Sequence, residues 1–191
     1  MPDLSIERSG ALGAFAGSVR PCAAAELRGL AAMARFVFRG RPVAIEKASQ
    51  AFECALPQSI CRAAVAGTRA ALCLGPDEWT LLAPDTDSQT ITRRFDAALA
   101  DLPHSLVDVS HRNTGLTIEG CQAAAVLNHG CPLDLSLPTF PIGMCTRTVL
   151  AKAEITLWRR AEVRFYLETG RSFGDYVWRF LEGARRQFEE Q

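Results

Sequence analysis

No apolar run in these 191 residues approaches the ~20 needed to cross a bilayer. Met1 to Gly10 carries charges where a secretory signal would place its apolar stretch. The expected location is therefore the cytoplasm, with no membrane partner. A surplus of one charge sign is also missing, since 21 Lys and Arg balance 21 Asp and Glu. That removes the positive field nucleic-acid binders use. Neither G-x-G-x-x-G nor G-x-x-x-x-G-K-[ST] occurs, and Pro138, Pro141 and Gly143 make no phosphate cradle, which leaves nucleotide binding without a motif. The seven cysteines, Cys22, Cys54, Cys61, Cys73, Cys121, Cys131 and Cys145, include no C-x-x-C pair. The usual structural-zinc spacing is thus absent, and an odd, scattered set predicts reduced thiols.

What is present is ordinary globular material: with 48% apolar and 22% charged residues, the chain can build a core without a covalent staple. Its length fits one domain or two small, intimately packed lobes. Residues 1–33, with Gly10, Gly13 and Gly17 before Pro21, read as an irregular docking arm whose Ala24 to Ala34 portion can turn helical. A domain over 34–191 follows. Ala34 to Arg39 reads as a strand broken by Gly40, Arg41 and Pro42. Arg69 to Leu74 and Trp79 to Leu82, around Gly75-Pro76-Asp77-Glu78, predict a β-hairpin.

Asp85, Thr86 and Asp87 stand where a helix cap belongs, ahead of Ile91, Phe95, Leu99 and Leu102 at helical spacing, with Pro103 as the stop. Ser105 to Ser110 and Thr114 to Glu119 predict strands. A helix from Cys121 to His129 follows, with Gly130 as a left-handed cap. Cys145 to Leu150, Glu154 to Arg159 and Val163 to Glu168 predict an antiparallel meander. Ser172 and Asp175 form a capping pair for a last helix with apolar Phe173, Tyr176, Val177, Phe180, Leu181 and Ala184. Strands with an interposed helix occur twice, over 69–130 and 145–186, without strict β-α alternation. The class is α+β, antiparallel sheets with packed helices.

Asp108, Ser110 and His111 offer a carboxylate, a hydroxyl and an imidazole. On a strand, Asp108 and Ser110 share one face and His111 takes the other, so structural hydrogen bonding is the better reading than a catalytic triad. His129, Cys131, Cys121 and Cys145 read as buried thiols and a helix-end histidine rather than a metal site. Cys145 reads as an inert core thiol despite Arg147 two positions on. Trp158, Arg159, Arg160 and Arg164 read as a solvated sheet face, and Arg171, Arg179, Arg185 and Arg186 as rim contacts to a partner.

Val107-Asp108-Val109-Ser110-His111-Arg112, followed by Gly120 and an apolar helix, resembles the sarcosine oxidase gamma family. So do Leu74-Gly75-Pro76-Asp77-Glu78-Trp79, Gly130-Cys131-Pro132-Leu133-Asp134-Leu135, Phe140-Pro141, Cys145-Thr146-Arg147-Thr148, Leu157-Trp158-Arg159, and Arg171-Ser172-Phe173 with Tyr176-Val177-Trp178. These blocks run in order from Leu72 to the C-terminus. Asp108 to His111 also resembles the glycine cleavage T protein, a folate-dependent aminomethyltransferase, and the resemblance implies the fold of its folate-binding domain. Where that transferase carries an Asp-Asp-Leu element whose carboxylate acts near the folate, Ala153-Glu154-Ile155 stands here.

The resemblance implies a complex of alpha, beta, gamma and delta subunits that oxidatively demethylates sarcosine to glycine. FAD, FMN, NAD, tetrahydrofolate and zinc would be held by the other subunits, with no cofactor on this chain and no active site of its own. Asp108, Ser110, His111, Arg112, Arg147, Trp158, Arg171 and Trp178 become the family-motif or interface candidates. The docking surface is expected at the N-terminal arm, the basic rim near Arg147 and the last helix. The competing reading is an independent folate-binding aminomethyltransferase-like protein; a thiol or metal hydrolase built on Cys145, His111 or His129 is set aside.

Overall fold

A computed structural model describes Leu12 and residues 24–188. Ten strands and four α-helices follow in order: β1 (Glu26–Gly29), β2 (Met33–Gly40), α1 (Pro42–Phe52), β3 (Arg62–Ala66), β4 (Arg69–Gly75), β5 (Glu78–Pro84), α2 (Ser88–Ala98) and β6 (His104–Asp108). The second half adds β7 (Asn113–Glu119), α3 (Ala123–Asn128), β8 (Cys145–Leu150), β9 (Ala153–Ala161), β10 (Arg164–Gly170) and α4 (Gly174–Arg186). All strand pairs are antiparallel, in two five-stranded sheets ordered β3-β4-β5-β2-β6 and β8-β9-β10-β7-β1. The α+β reading with antiparallel sheets therefore holds.

Written this way the two sheets match strand for strand. Each half runs strand, helix, three strands, helix, and each needs a fifth strand beside its first. In lobe 1 that strand is β6, directly after α2; in lobe 2 it is β1, brought from the start of the chain. The repeat thus begins at β2 and β7, not at Arg69 and Cys145. The arm expected over 1–33 falls mostly outside the described residues, but its last part is a strand and not a helix. Glu26 to Gly29 pair with Glu119 to Leu116 because β7 otherwise offers an open edge.

The sheets stack face to face with helices outside. Period-two alternation sends Phe36, Phe38, Ala71, Cys73, Trp79 and Leu81 toward α1 and α2, while Ala70, Leu72 and Leu82 meet Cys145, Trp158 and Tyr166 of the other sheet. On the far side, Ile155, Leu157, Phe165 and Leu167 pack under α3 and α4 with Val126, Leu127, Val177, Trp178 and Leu181. No helix among the described residues is long and apolar enough to cross a membrane.

Several local expectations are corrected. Pro42 does not only end β2; it opens α1 at a first-turn position, where its missing N–H costs nothing. Asp85–Asp87 form a 3₁₀ turn without a side-chain cap, and Asp87 instead receives Arg69 Nη2 at 2.7 Å. Ser172 lies in a second 3₁₀ turn, and α4 likewise starts without a side-chain cap; Asp175 pairs with Arg179 one turn on. Gly130 is not left-handed. A side chain there would meet Phe180 Cζ at 2.7 Å and the Ala151 nitrogen at 2.9 Å, so its value is close approach of α3 to α4.

Gly120 does need its freedom: its φ is 145°, and a Cβ would sit 2.3 Å from the Ala24 carbonyl oxygen. Gly120→Ala is expected to cost ~1–3 kcal/mol, because backbone on both sides must move where β1 meets β7. Urea unfolding measures it; an unchanged midpoint would show that β1 is not held there.

Candidate functional site

The polar side chains that the family-like motifs bring together lie at the junction of the two lobes. β6 ends at Asp108 and β7 starts at Asn113, so the motif Val107 to Arg112 is the crossing between the sheets. Asp108 accepts the Ser110 amide on Oδ1 at 2.8 Å and the Ser88 hydroxyl on Oδ2 at 2.8 Å, closing an Asx-type turn against the start of α2. Ser110 Oγ accepts the Arg35 amide at 2.9 Å, and the Val109 amide donates to the Arg35 carbonyl at 2.8 Å. The Arg112 carbonyl receives the Arg171 amide at 2.9 Å, tying the crossing to the end of β10. Asp108 and Ser110 thus accept hydrogen bonds from backbone amides and from Ser88.

Below the crossing lies a buried ionic group that the sequence reading missed. Arg35 and Glu168, both 3% exposed at the side chain, approach to 3.2 Å through Arg35 Nε. The contact is one of charge rather than an aligned hydrogen bond, since that Nε has no bonded acceptor. Glu168 also accepts the Tyr166 hydroxyl on Oε2 and Asn113 Nδ2 on Oε1, the latter at 2.7 Å. Arg35 Nη1 donates to the Met33 carbonyl at 3.2 Å. Burial works against the Arg35 charge, and its Tyr166 and Glu168 neighbours outweigh that, holding the guanidinium above its ordinary value. Burial and then the Glu168 carboxylate push the Tyr166 phenol well up, so it keeps its proton and serves as a donor. The signal in the sequence was a charge inside each of two apolar strands: Ala34-Arg35-Phe36 and Leu167-Glu168-Thr169.

A second cross-lobe contact joins β5 to β8. Glu78 receives both Arg39 and Arg147, whose own side chains are half exposed. Burial alone would raise the Glu78 carboxyl, but the hydrogen bonds from Arg147 and Arg39 outweigh it and lower it from its ordinary 4.5. A carboxyl lowered by folding adds stability that is complete above its ordinary value and is lost as pH falls through the folded one. Glu78→Gln is therefore expected to flatten the stability loss below pH 4.5 while leaving the pH 7 to 8 range level; thermal melts across that range check it, and an unchanged acid limb would contradict it. Arg147, expected on a basic rim, is thus committed to this clamp.

The remaining candidates separate. Trp158 is 4% exposed between the sheets, with Arg160 stacked over it at 5.0 Å, and Trp178 is 3% exposed in the lobe 2 core. Both pack the interior. Arg159 and Arg185 are buried too, at 3% and 0%, which corrects the solvated-face reading for Trp158 and Arg159 and the rim reading for Arg185. Arg159 stacks over Phe165 at 4.5 Å, and Arg185 pairs with Glu182. His111 and Arg171 stand at the crossing. His129 is bonded at both ring nitrogens, to the Ala125 carbonyl and Gln187 Oε1, each at 3.0 Å. Cys145 is fully buried, and burial pushes its thiol up to about 12. Among the described residues no three His, Cys, Asp or Glu side chains gather as metal ligands. Glu154 is exposed at its strand position.

The family described as "Sarcosine oxidase, gamma subunit family" matches residues 40–187. The sarcosine oxidase subunit gamma of Corynebacterium sp. strain P-1 is 33% identical over 138 residues, covering 71% of this chain and 66% of that protein. The same subunit of Corynebacterium sp. strain U-96 is 34% identical over 124 residues, covering 65% and 59%. This chain thus spans 66% and 59% of the curated relatives it matches. A chain of the heterotetrameric sarcosine oxidase from Corynebacterium sp. U-96 superposes with a TM-score of 0.87 at 27% identity, over 95% of this chain and 96% of that one. The glycine cleavage aminomethyltransferase T of Bartonella henselae superposes at 0.66 with 16% identity, over 84% of this chain and 46% of that one, and shares its fold. A family match running from the end of β2 to beyond α4 takes in most of both lobes and the crossing between them, and this chain belongs to the sarcosine oxidase gamma subunit family.

Proposed function

We propose that this chain is the gamma subunit of a cytoplasmic, heterotetrameric complex that oxidatively demethylates sarcosine to glycine, and that it assembles with alpha, beta and delta subunits without a catalytic centre of its own. The observation that carries this reading is the superposition on a chain of such a heterotetramer over nearly the full length of both. The use of the polar residues supports it. Arg35 with Glu168 and Glu78 with Arg147 join one lobe to the other, and Asp108 and Ser110 fasten the crossing to lobe 1. FAD, FMN, NAD, tetrahydrofolate and zinc belong, in this reading, to the partner subunits. A body stiffened in this way presents fixed outer faces, which is what an assembly subunit needs.

The folate-binding transferase reading is not favoured, since the likeness to the T protein is one of fold. Affinity capture of the tagged full chain from cells co-expressing the candidate alpha, beta and delta subunits is expected to bring all of them down in one size-exclusion peak. Elution of this chain alone, together with saturable binding of tetrahydrofolate to it, would reverse the reading.

A further inference from the structure

Three cysteines from separate stretches meet where the edges of the two sheets touch. Cys61 precedes β3, Cys73 lies in β4 and Cys145 opens β8. The Cys61 amide donates to the Cys73 carbonyl at 2.9 Å, and the Cys145 amide donates to the Cys61 carbonyl at 3.0 Å. Arg62 and Met144 form an isolated antiparallel bridge, flanked on its other side by the Ala63 amide donating to the Gly143 carbonyl at 2.8 Å. One step along this bridge, Cys61 and Cys145 face each other across the lobe junction. Opposed, hydrogen-bonded residues on antiparallel strands hold their Cα atoms ~5.5 Å apart, and disulfides join Cα atoms ~4.4–6.8 Å apart, so the pair stands within reach.

The side chains select Cys145 over Cys73 as the partner. Cys145 Sγ lies 3.9 Å from the same Cys73 carbonyl oxygen that accepts the Cys61 amide, which sets it beside the Cys61 backbone. The Cys73 thiol donates to the Gly75 carbonyl at 3.3 Å and packs with the core under α1 and α2. Cys145 packs between the sheets.

Cys61 is set apart in two further ways. Its φ of 63° puts a non-glycine residue in the left-handed region. Of the three thiols it alone is only half-buried, while Cys73 and Cys145 are closed off from solvent.

We propose that Cys61 and Cys145 are a thiol oxidation site, which a hydroperoxide converts to a disulfide that staples lobe 1 to lobe 2. The Cys61 sulfur attacks the peroxide; the O–O bond breaks, Cys61 becomes a sulfenic acid, and its thiol proton leaves with the alcohol or water. The Cys145 sulfur then displaces the sulfenic oxygen, which departs as water with the Cys145 proton. Two electrons pass from the thiol pair to the peroxide, and a thiol reductant restores the pair. This holds or fails independently of subunit assembly.

The test is a hydrogen peroxide titration of the full chain carrying Cys22→Ser and Cys121→Ser, with denaturation, alkylation and peptide mass spectrometry. The expected result is loss of two alkylatable thiols, a Cys61–Cys145 linked peptide, its disappearance on reduction and in Cys145→Ala, and a rise in Tm of the oxidised protein. A link from Cys61 to Cys54 or Cys73, sulfinic acid at Cys61 without a link, or full alkylation at both positions would each overturn the proposal. The linked peptide is measured in protein that retains both thiols, so the result does not depend on Cys145→Ala folding.

Discussion

Glu168→Ala is expected to lower stability by about 3–5 kcal/mol, the range for removing one member of a buried ion pair. Glu168 is the common acceptor for Tyr166, Asn113 and Arg35. Its loss leaves a guanidinium 3% exposed with no counter-charge, and the buried Tyr166 hydroxyl and half-buried Asn113 amide without that acceptor. Of a typical domain stability of ~5–15 kcal/mol, this is a fifth or more, so the urea midpoint is expected to fall well below that of the parent. Glu168→Gln keeps an acceptor for Asn113 and should lose less. The double variant Arg35→Met with Glu168→Leu should recover part of the loss, because no unpaired charge remains. Urea unfolding of the parent, Arg35→Met, Glu168→Leu and the double variant closes the cycle. Strictly additive losses would show that the two charges do not act as a pair and that the lobes are held by packing alone.

Phe38→Ala is the second large effect, also about 3–5 kcal/mol, the range for truncating a fully buried aromatic. Phe38 sits at the centre of the lobe 1 core, its ring 5.4 Å from Phe95, 5.8 Å from Trp79 and 6.4 Å from His104. It also fills the space beside Gly40, where a Cβ would stand 2.7 Å from its ring. The cavity would open between β2 and α2 and weaken both helix contacts at once. Phe38→Leu should lose less than half as much. Equal melting temperatures for Phe38→Ala and the parent would show that lobe 1 carries little of the cooperative unit.

The elements most legible in the sequence were those whose period or turn chemistry is local. The Gly75 to Glu78 hairpin and the strands of the second half lie where their spacing puts them, whereas α4 buries Val177, Leu181 and Ala184 of its expected face together with Trp178 and leaves Phe173 and Tyr176 exposed. Helix α1 was not legible because its buried face is largely alanine, Ala44, Ala48 and Ala51, which carries little hydrophobic contrast, and because Pro42 reads equally as a stop or a start. Strand β1 depends on a partner about ninety residues away along the chain, paired through Leu27 and Ile118, and no local pattern encodes that. The same holds for the site. Asp108 and Ser110 were visible as a motif, yet the atoms they serve, in Arg35 and Ser88, come from other elements. The capping expectations at Asp85 to Asp87 and Ser172 failed because 3₁₀ turns hand the chain directly into α2 and α4.

The central claim is that this chain serves a larger oxidase as an assembly subunit. The most direct measurement is sarcosine-dependent peroxide formation by lysates expressing the candidate alpha, beta and delta subunits with and without it, normalised to alpha subunit. The account predicts that leaving the chain out lowers both the assembled fraction and the rate, and that adding purified chain back during assembly restores them. Full assembly and turnover in its absence would contradict it.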